Sequence, residues 1–265
     1  MIPPGPRRWL GAFVVLACLF SVAPVLVIVI ESFTSSDYVV FPPPGLSFKG
    51  YGEFIKRPEF VDSALVSLVV ALCASLVSTL LGAMTAVALE RHAFFGRRLL
   101  QSLFLAPLSL PGIIFGLALL QFLARYGWPR NVVTMTLAHI IITLPFAIRF
   151  ISVALLGIDR NVELAAHSLG ANRLRAFWHV TFPLIRPGIA ASLVFAFILS
   201  FDEVAASLFV ASPSAMTLPV RIFVYIDQNY DPLVSAVSSL LVLAAVIALV
   251  IIEKTVGMGR LFGLR

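Results

Sequence analysis

Apolar residues run without alternation over six stretches of the chain: 9–30, 64–89, 103–123, 132–150, 189–210 and 233–252. Basic residues stay out of these runs, apart from Arg149 at the end of the fourth. About 20 apolar residues at a helical rise of about 1.5 Å each cross a hydrocarbon layer of about 30 Å. Lipid leaves no water for unpaired backbone groups, so only helices or closed barrels span it. The runs are long and do not alternate, which favours helices over barrel strands. The pattern predicts an all-α membrane protein of six spans. The first run follows Arg7 and Arg8 like a signal peptide, but it exceeds a signal core and no A-x-A site follows. It reads as an uncleaved span.

Composition agrees. The chain of 265 residues is 60% hydrophobic and 12% charged, where soluble domains have roughly 45–50% and about 25%. A water-soluble enzyme is thereby set aside. Cys18 and Cys73 lie in apolar runs and read as buried small hydrophobes, not as a disulfide or metal site.

Charge gives an orientation. The amino terminus, the 90–102 and 149–188 loops and the carboxyl tail carry thirteen Lys and Arg against four acids. The thirteen include Arg7, Arg8, Arg91, Arg97, Arg160, Arg173, Lys254, Arg260 and Arg265, and the acids include Glu253. The opposite loops carry six basic residues against seven acids. Positive loops stay in the cytoplasm, so both termini are expected there. The net charge of +6 follows from topology and gives no reason to invoke nucleic acid.

Small residues recur at helical spacing: Ala71, Ser75, Thr79, Gly82 and Ala86 in the second run, and Gly112 and Gly116 in the third. They predict close helix packing, with span serines as hydrogen-bonding contacts. Pro107 and Pro111 interrupt the third run and Pro145 the fourth, where tolerated kinks are the commoner outcome. The 31–63 loop, with its Pro42–Pro44 run, reads as a surface connector or as a docking surface on the outer side. No phosphate loop, H-E-x-x-H or Cys-x-x-Cys motif occurs, and His92, His139, His167 and His179 are scattered. No catalytic residue, resident metal or cofactor is expected.

The 151–187 loop has a helical pattern of its own. A short amphipathic helix is expected over 161–169, stopped by Gly170. Asn172 is placed to cap a second helix over 173–180, and Pro183 and the Arg186-Pro187-Gly188 run are expected to break the chain before the fifth span. Such a hairpin suits a partner protein or an interfacial position on lipid.

The sequence E-L-A-A-H-S-L-G-A over 163–171, followed by V-T-F-P over 180–183, resembles the EAA loop of permease subunits of bacterial ABC importers. That pattern is E-A-A, three residues, G, nine residues and I-x-L-P. Ala165, Ala166, Gly170 and Pro183 match, and nine residues separate Gly170 from Val180. The Glu of the pattern falls on Leu164. Glu163 stands one position earlier, about 100° around a helix. Packing by Leu164 is the preferred substitute for the usual ion pair, with Glu163→Gln then expected to do little.

The resemblance covers the whole chain and is closest to the second permease of spermidine/putrescine importers. L-G-A-M-T-A-V-A-L-E-R over 81–91, L-S-F-D-E-V over 199–204 and T-L-P-V over 217–220 carry it. It implies a type I importer permease fold over 1–265 as a single transmembrane domain of the bacterial inner membrane. The implied partners are a second permease, two ATPase subunits that bind the ATP, and an extracytoplasmic solute-binding protein. It implies coupling through Glu163, Leu164, Ala165, Ala166, Gly170 and Pro183. Asp202 and Glu203, read as acids within the fifth span past its midplane, are expected to line the path of a polyamine. Related permeases carry ferric iron, thiamine or small anions. A secondary transporter would need a coupling-ion site, and neither a second membrane carboxylate cluster nor an internal repeat is seen.

Overall fold

The computed structural model describes residues 4–229 and 231–256, without the side chains of 4–8, 248–249 and 251–256. Of the charges used for orientation, Arg260 and Arg265 lie outside the described residues, as do the side chains of Arg7, Arg8, Glu253 and Lys254. Among the described residues the chain is helical, with two isolated bridges and no strand.

Four helices are long and apolar enough to cross a membrane, and a bent helix pair makes a fifth candidate. The helices are α1 (Pro4–Glu31), α2 (Lys49–Lys56), α3 (Pro58–Arg91), α4 (Arg97–Leu105), α5 (Gly112–Arg125), α6 (Val132–Leu156), α7 (Arg160–Ser168), α8 (Arg173–Ala176), α9 (Phe182–Phe201), α10 (Ser207–Val210), α11 (Leu218–Ile226) and α12 (Leu233–Val256). They divide into two compact units: Met1–Val61 with Ile222–Val246, and Asp62–Arg221 with Ile247–Arg265.

In the first unit α1 presents large apolar side chains such as Trp9, Phe13 and Phe20 outward, as a lipid-facing helix does. The connector after it is ordered around α2. Phe33, Phe48 and Tyr51 form a ring cluster with centroids 5.4–6.0 Å apart. The Tyr51 hydroxyl bridges Ser32 (2.7 Å) and Ser239 (2.8 Å). Arg57 donates to the Tyr225 hydroxyl (2.6 Å), which itself donates to Asp231. Burial and then the bond to Asp231 raise the Tyr225 phenol above its ordinary pKa.

The second unit packs through small residues, as expected. A Cβ on Gly82 would meet Ala147 at 2.7 Å, and one on Gly116 would meet the Ala206 backbone at 2.7 Å. Thr79 and Ser192 share a 3.1 Å hydrogen bond between α3 and α9. Ala86, Ile151, Leu155 and Ile185 form one buried cluster, and Val70, Leu123, Met135 and Val210 another.

Four expectations need correction. The third run is not one kinked helix, because α4 with its 3₁₀ turn at Ala106–Ser109 meets α5 at 105°. Pro107 and Pro111 lack the N–H groups that would continue the ladder, and Leu110 is forced into extended backbone before Pro111. The prolines before the fifth span break nothing. A π turn at Phe177–Thr181 leads into α9, Pro183 sits in its first turn and Pro187 is accommodated inside, so the helix runs Arg173–Phe201. Beginning early, α9 also ends early, at Phe201 rather than 210. Finally, Cys18 and Cys73 are exposed on their helices rather than buried.

Candidate functional site

The 160–181 hairpin folds by local rules. Asp159 caps α7 by accepting from the Asn161 amide (2.9 Å). At the other end Gly170 adopts φ +87°, its amide donates to the His167 carbonyl (2.9 Å), and the Ala171 amide donates to the Ala166 carbonyl (3.0 Å). That pair of bonds is a Schellman cap, which needs the left-handed residue glycine supplies. Asn172 then caps α8 by accepting from the Arg175 amide (2.8 Å).

The two acid candidates on α7 separate as the one-residue offset requires. Glu163 turns inward, pairing with Arg91 (3.1 Å) and accepting from the Thr181 hydroxyl (2.9 Å). Their side chains are only 19% and 11% exposed. Leu164 points outward, 59% exposed, with Leu169, Leu174 and Trp178 also exposed on the hairpin. Ala165 is exposed, while Ala166 and Pro183 are half-buried. A recess of about 700 Å³ between the hairpin and the end of α3 is lined by Arg91, Arg160, Glu163, Leu164 and Phe177. The expectation that Glu163→Gln does little is therefore revised, because Glu163 bonds two other elements.

Asp202 and Glu203 do not lie within a span helix. Asp202 is the last cap of α9, exposed, and its carboxylate meets no partner among the described residues. A carboxylate at a helix C-terminus faces the negative end of the dipole, so the fold does not reward it there. Glu203 acts locally, where its Oε1 accepts from the Ala206 amide (2.8 Å) and closes the turn into α10. That turn lies against the start of α5, where a Cβ on Gly112 would come within 3.0 Å of Ala205 Cβ.

Sequence reasoning passed over His139. It is 1% exposed, with Nδ1 2.7 Å from the Ser200 hydroxyl and Nε2 2.8 Å from that of Ser207. One imidazole thus pins both sides of the turn that carries Asp202. A histidine inside an apolar run was the available signal, since a buried ring nitrogen needs partners. Arg91 and Thr181, which hold Glu163, were likewise not singled out.

Long apolar helices, a broken fifth candidate span and a capped hairpin beside the end of α3 define an all-α membrane protein. The chain belongs to the family of binding-protein-dependent transport system inner membrane components, whose profile matches residues 78–255. It is 34% identical over 247 residues to the putrescine transport system permease protein PotI of Escherichia coli (strain K12), covering 91% of this chain and 88% of that one. It is 30% identical over 254 residues to the spermidine/putrescine transport system permease protein PotC of Shigella flexneri, covering 94% and 96%. Its fold matches a chain from the crystal structure of the bacterial alginate ABC transporter in complex with alginate pentasaccharide-bound periplasmic protein. The TM-score is 0.70 at 17% identity, over 97% of this chain and 96% of that one. The chain is accordingly an inner-membrane permease component of an ABC importer, and not an enzyme.

Proposed function

We propose that this permease carries a polyamine across the inner membrane by alternating access. It works as a single domain over 1–265 beside a second permease, above two ATPase subunits, and receives cargo from a solute-binding protein. The observation that carries the cargo assignment is Asp202, an exposed carboxylate without a described partner at the end of α9. An exposed carboxylate that the fold leaves without a described partner is available to a cation. PotI and PotC are named for putrescine and spermidine, whose ammonium groups suit it.

In this reading six spans cross the membrane: α1, α3, the α4–α5 pair, α6, α9 and α12. Both termini and the hairpin are cytoplasmic, supported by the basic residues Arg91, Arg97, Arg160, Arg173 and Arg175 in the loops of that side. The hairpin docks an ATPase subunit through Leu164 and its apolar neighbours, with Ala165, Ala166, Gly170 and Pro183 shaping it. Glu163 holds the hairpin from within. ATP closes the ATPases, the hairpin follows, and the permeases switch between inward- and outward-facing states.

The test is uptake by proteoliposomes holding the whole assembly, ATP and the loaded binding protein. ATP-dependent import of labelled putrescine or spermidine is expected, with no import of thiamine, ferric iron or sulfate. Import of an anion in place of a polyamine would overturn the cargo assignment. Docking is tested separately by Leu164→Asp. The charge, buried unpaired in an apolar contact, should strip the ATPase from the purified permease.

A further inference from the structure

We infer that Arg91 and Glu163 form a latch that makes the hairpin and the end of α3 move as one body. The inference rests on the hairpin's docking role proposed above and says where the motion goes next. Covalently the hairpin leads only into α6 and α9. The Arg91–Glu163 pair at 3.1 Å adds α3, which is distant in sequence.

The end of α3 is built as a junction. Arg91 Nη2 also donates to the Leu155 carbonyl at the end of α6 (3.2 Å). The neighbouring Glu90 pairs with Arg97 of α4 (3.4 Å), and its carbonyl accepts from Arg160 of α7 (2.8 Å). On the hairpin side Glu163 Oε1 accepts from Thr181, in the π turn that feeds α9. Two consecutive residues of α3 thus hold α4, α6 and α7, and through Glu163 the start of α9.

The chemistry explains why the offset of one residue matters. An acid at 164 would face outward, where Leu164 is now exposed, and its charge would be available to a separate subunit. An acid at 163 faces Arg91 and is spent inside the chain. The pair is mostly buried, so solvent and salt screen it weakly and its geometry is stiff. Both residues are positioning residues, acting through the elements they join.

The experiment uses the full assembly in proteoliposomes with Glu163→Gln, Arg91→Gln and the double variant. The readout is putrescine imported per ATP hydrolysed, a ratio that a lower amount of folded protein does not move. Each single variant should lower the ratio about fivefold or more while the ATPase still copurifies. The double variant should be no worse than either single, because paired residues are non-additive. An unchanged ratio in Glu163→Gln, or additive losses, would overturn the latch. Glu163→Gln keeps the size of the side chain and decides alone if Arg91→Gln does not assemble. A second measurement does not depend on cargo: the distance between spin labels at Ser168 and Met84 should stay fixed on adding ATP, and should change in Glu163→Gln. A distance that changes equally in both proteins refutes the latch. Failure of the docking reading looks different, because Leu164→Asp would then keep its ATPase.

Discussion

Two acids of the same unit, Glu163 on the hairpin and Asp202 at the end of α9, receive opposite treatment from the fold. Glu163 is mostly buried, ion-paired and hydrogen-bonded across elements. Asp202 is exposed, unpartnered among the described residues, and set at the unfavourable end of a helix. A carboxylate the fold has satisfied is structural machinery. One that it leaves open is available to a ligand. In the function proposed above, Glu163 serves coupling and Asp202 serves cargo recognition.

The largest expected effect comes from breaking the hairpin itself. Gly170→Val places a β-branched residue at φ +87°, where an L side chain costs roughly 1–2 kcal/mol and a branched one more. The open space around Gly170 offers no rescue, since strain and not crowding is the fault. Uptake and substrate-stimulated ATP hydrolysis should fall together by about tenfold or more, while the permease still inserts. Normal coupling in that variant would remove the hairpin from the mechanism.

A smaller effect sharpens the other side of the comparison. Asp202→Asn removes a charge and no described contact, so assembly should persist while polyamine uptake at low concentration drops by about tenfold, equivalent to about 1.4 kcal/mol. Glu203→Gln keeps an oxygen for the Ala206 amide and should change uptake less. If the two variants ranked the other way, the local role of Glu203 would be misassigned.

The mildest effect on transport concerns the frame of the turn, where the readout is stability. Ser207→Ala removes one of the two hydroxyls that hold His139 and leaves a buried ring nitrogen unpaired. The expected loss is about 1–3 kcal/mol of stability, read as a lower thermal midpoint in detergent. Full stability would mean that the His139 bridge contributes nothing.

Much of this was legible in the chain. Apolar run lengths located the long helices, because lipid dictates them. Gly170 and Asn172 announced the hairpin, because caps are local chemistry. Small-residue spacing announced close packing at Gly82 and Gly116, but not that Ala147 and Ala206 would meet them. What escaped was what depends on partners far along the chain. The break between α4 and α5 needed the backbone around Leu110, since prolines alone more often signal a tolerated kink than a break. The end of α9 stands nine residues before the expected limit, and a π turn leads into its start upstream of Pro183. That shift took Asp202 and Glu203 out of the span and gave Glu203 a turn to close. Glu163 could be seen to be out of register, but Arg91, 72 positions earlier, could not be seen to meet it.

The most direct measurement sets Glu163→Gln beside Asp202→Asn in the same reconstituted assembly and follows two numbers, the KM for putrescine and the putrescine imported per ATP. The expected result is a crossed pattern: Asp202→Asn raises KM with the ratio little changed, and Glu163→Gln lowers the ratio with KM little changed. If both variants shifted the same number, the division between a latching acid and a cargo-facing acid would be contradicted.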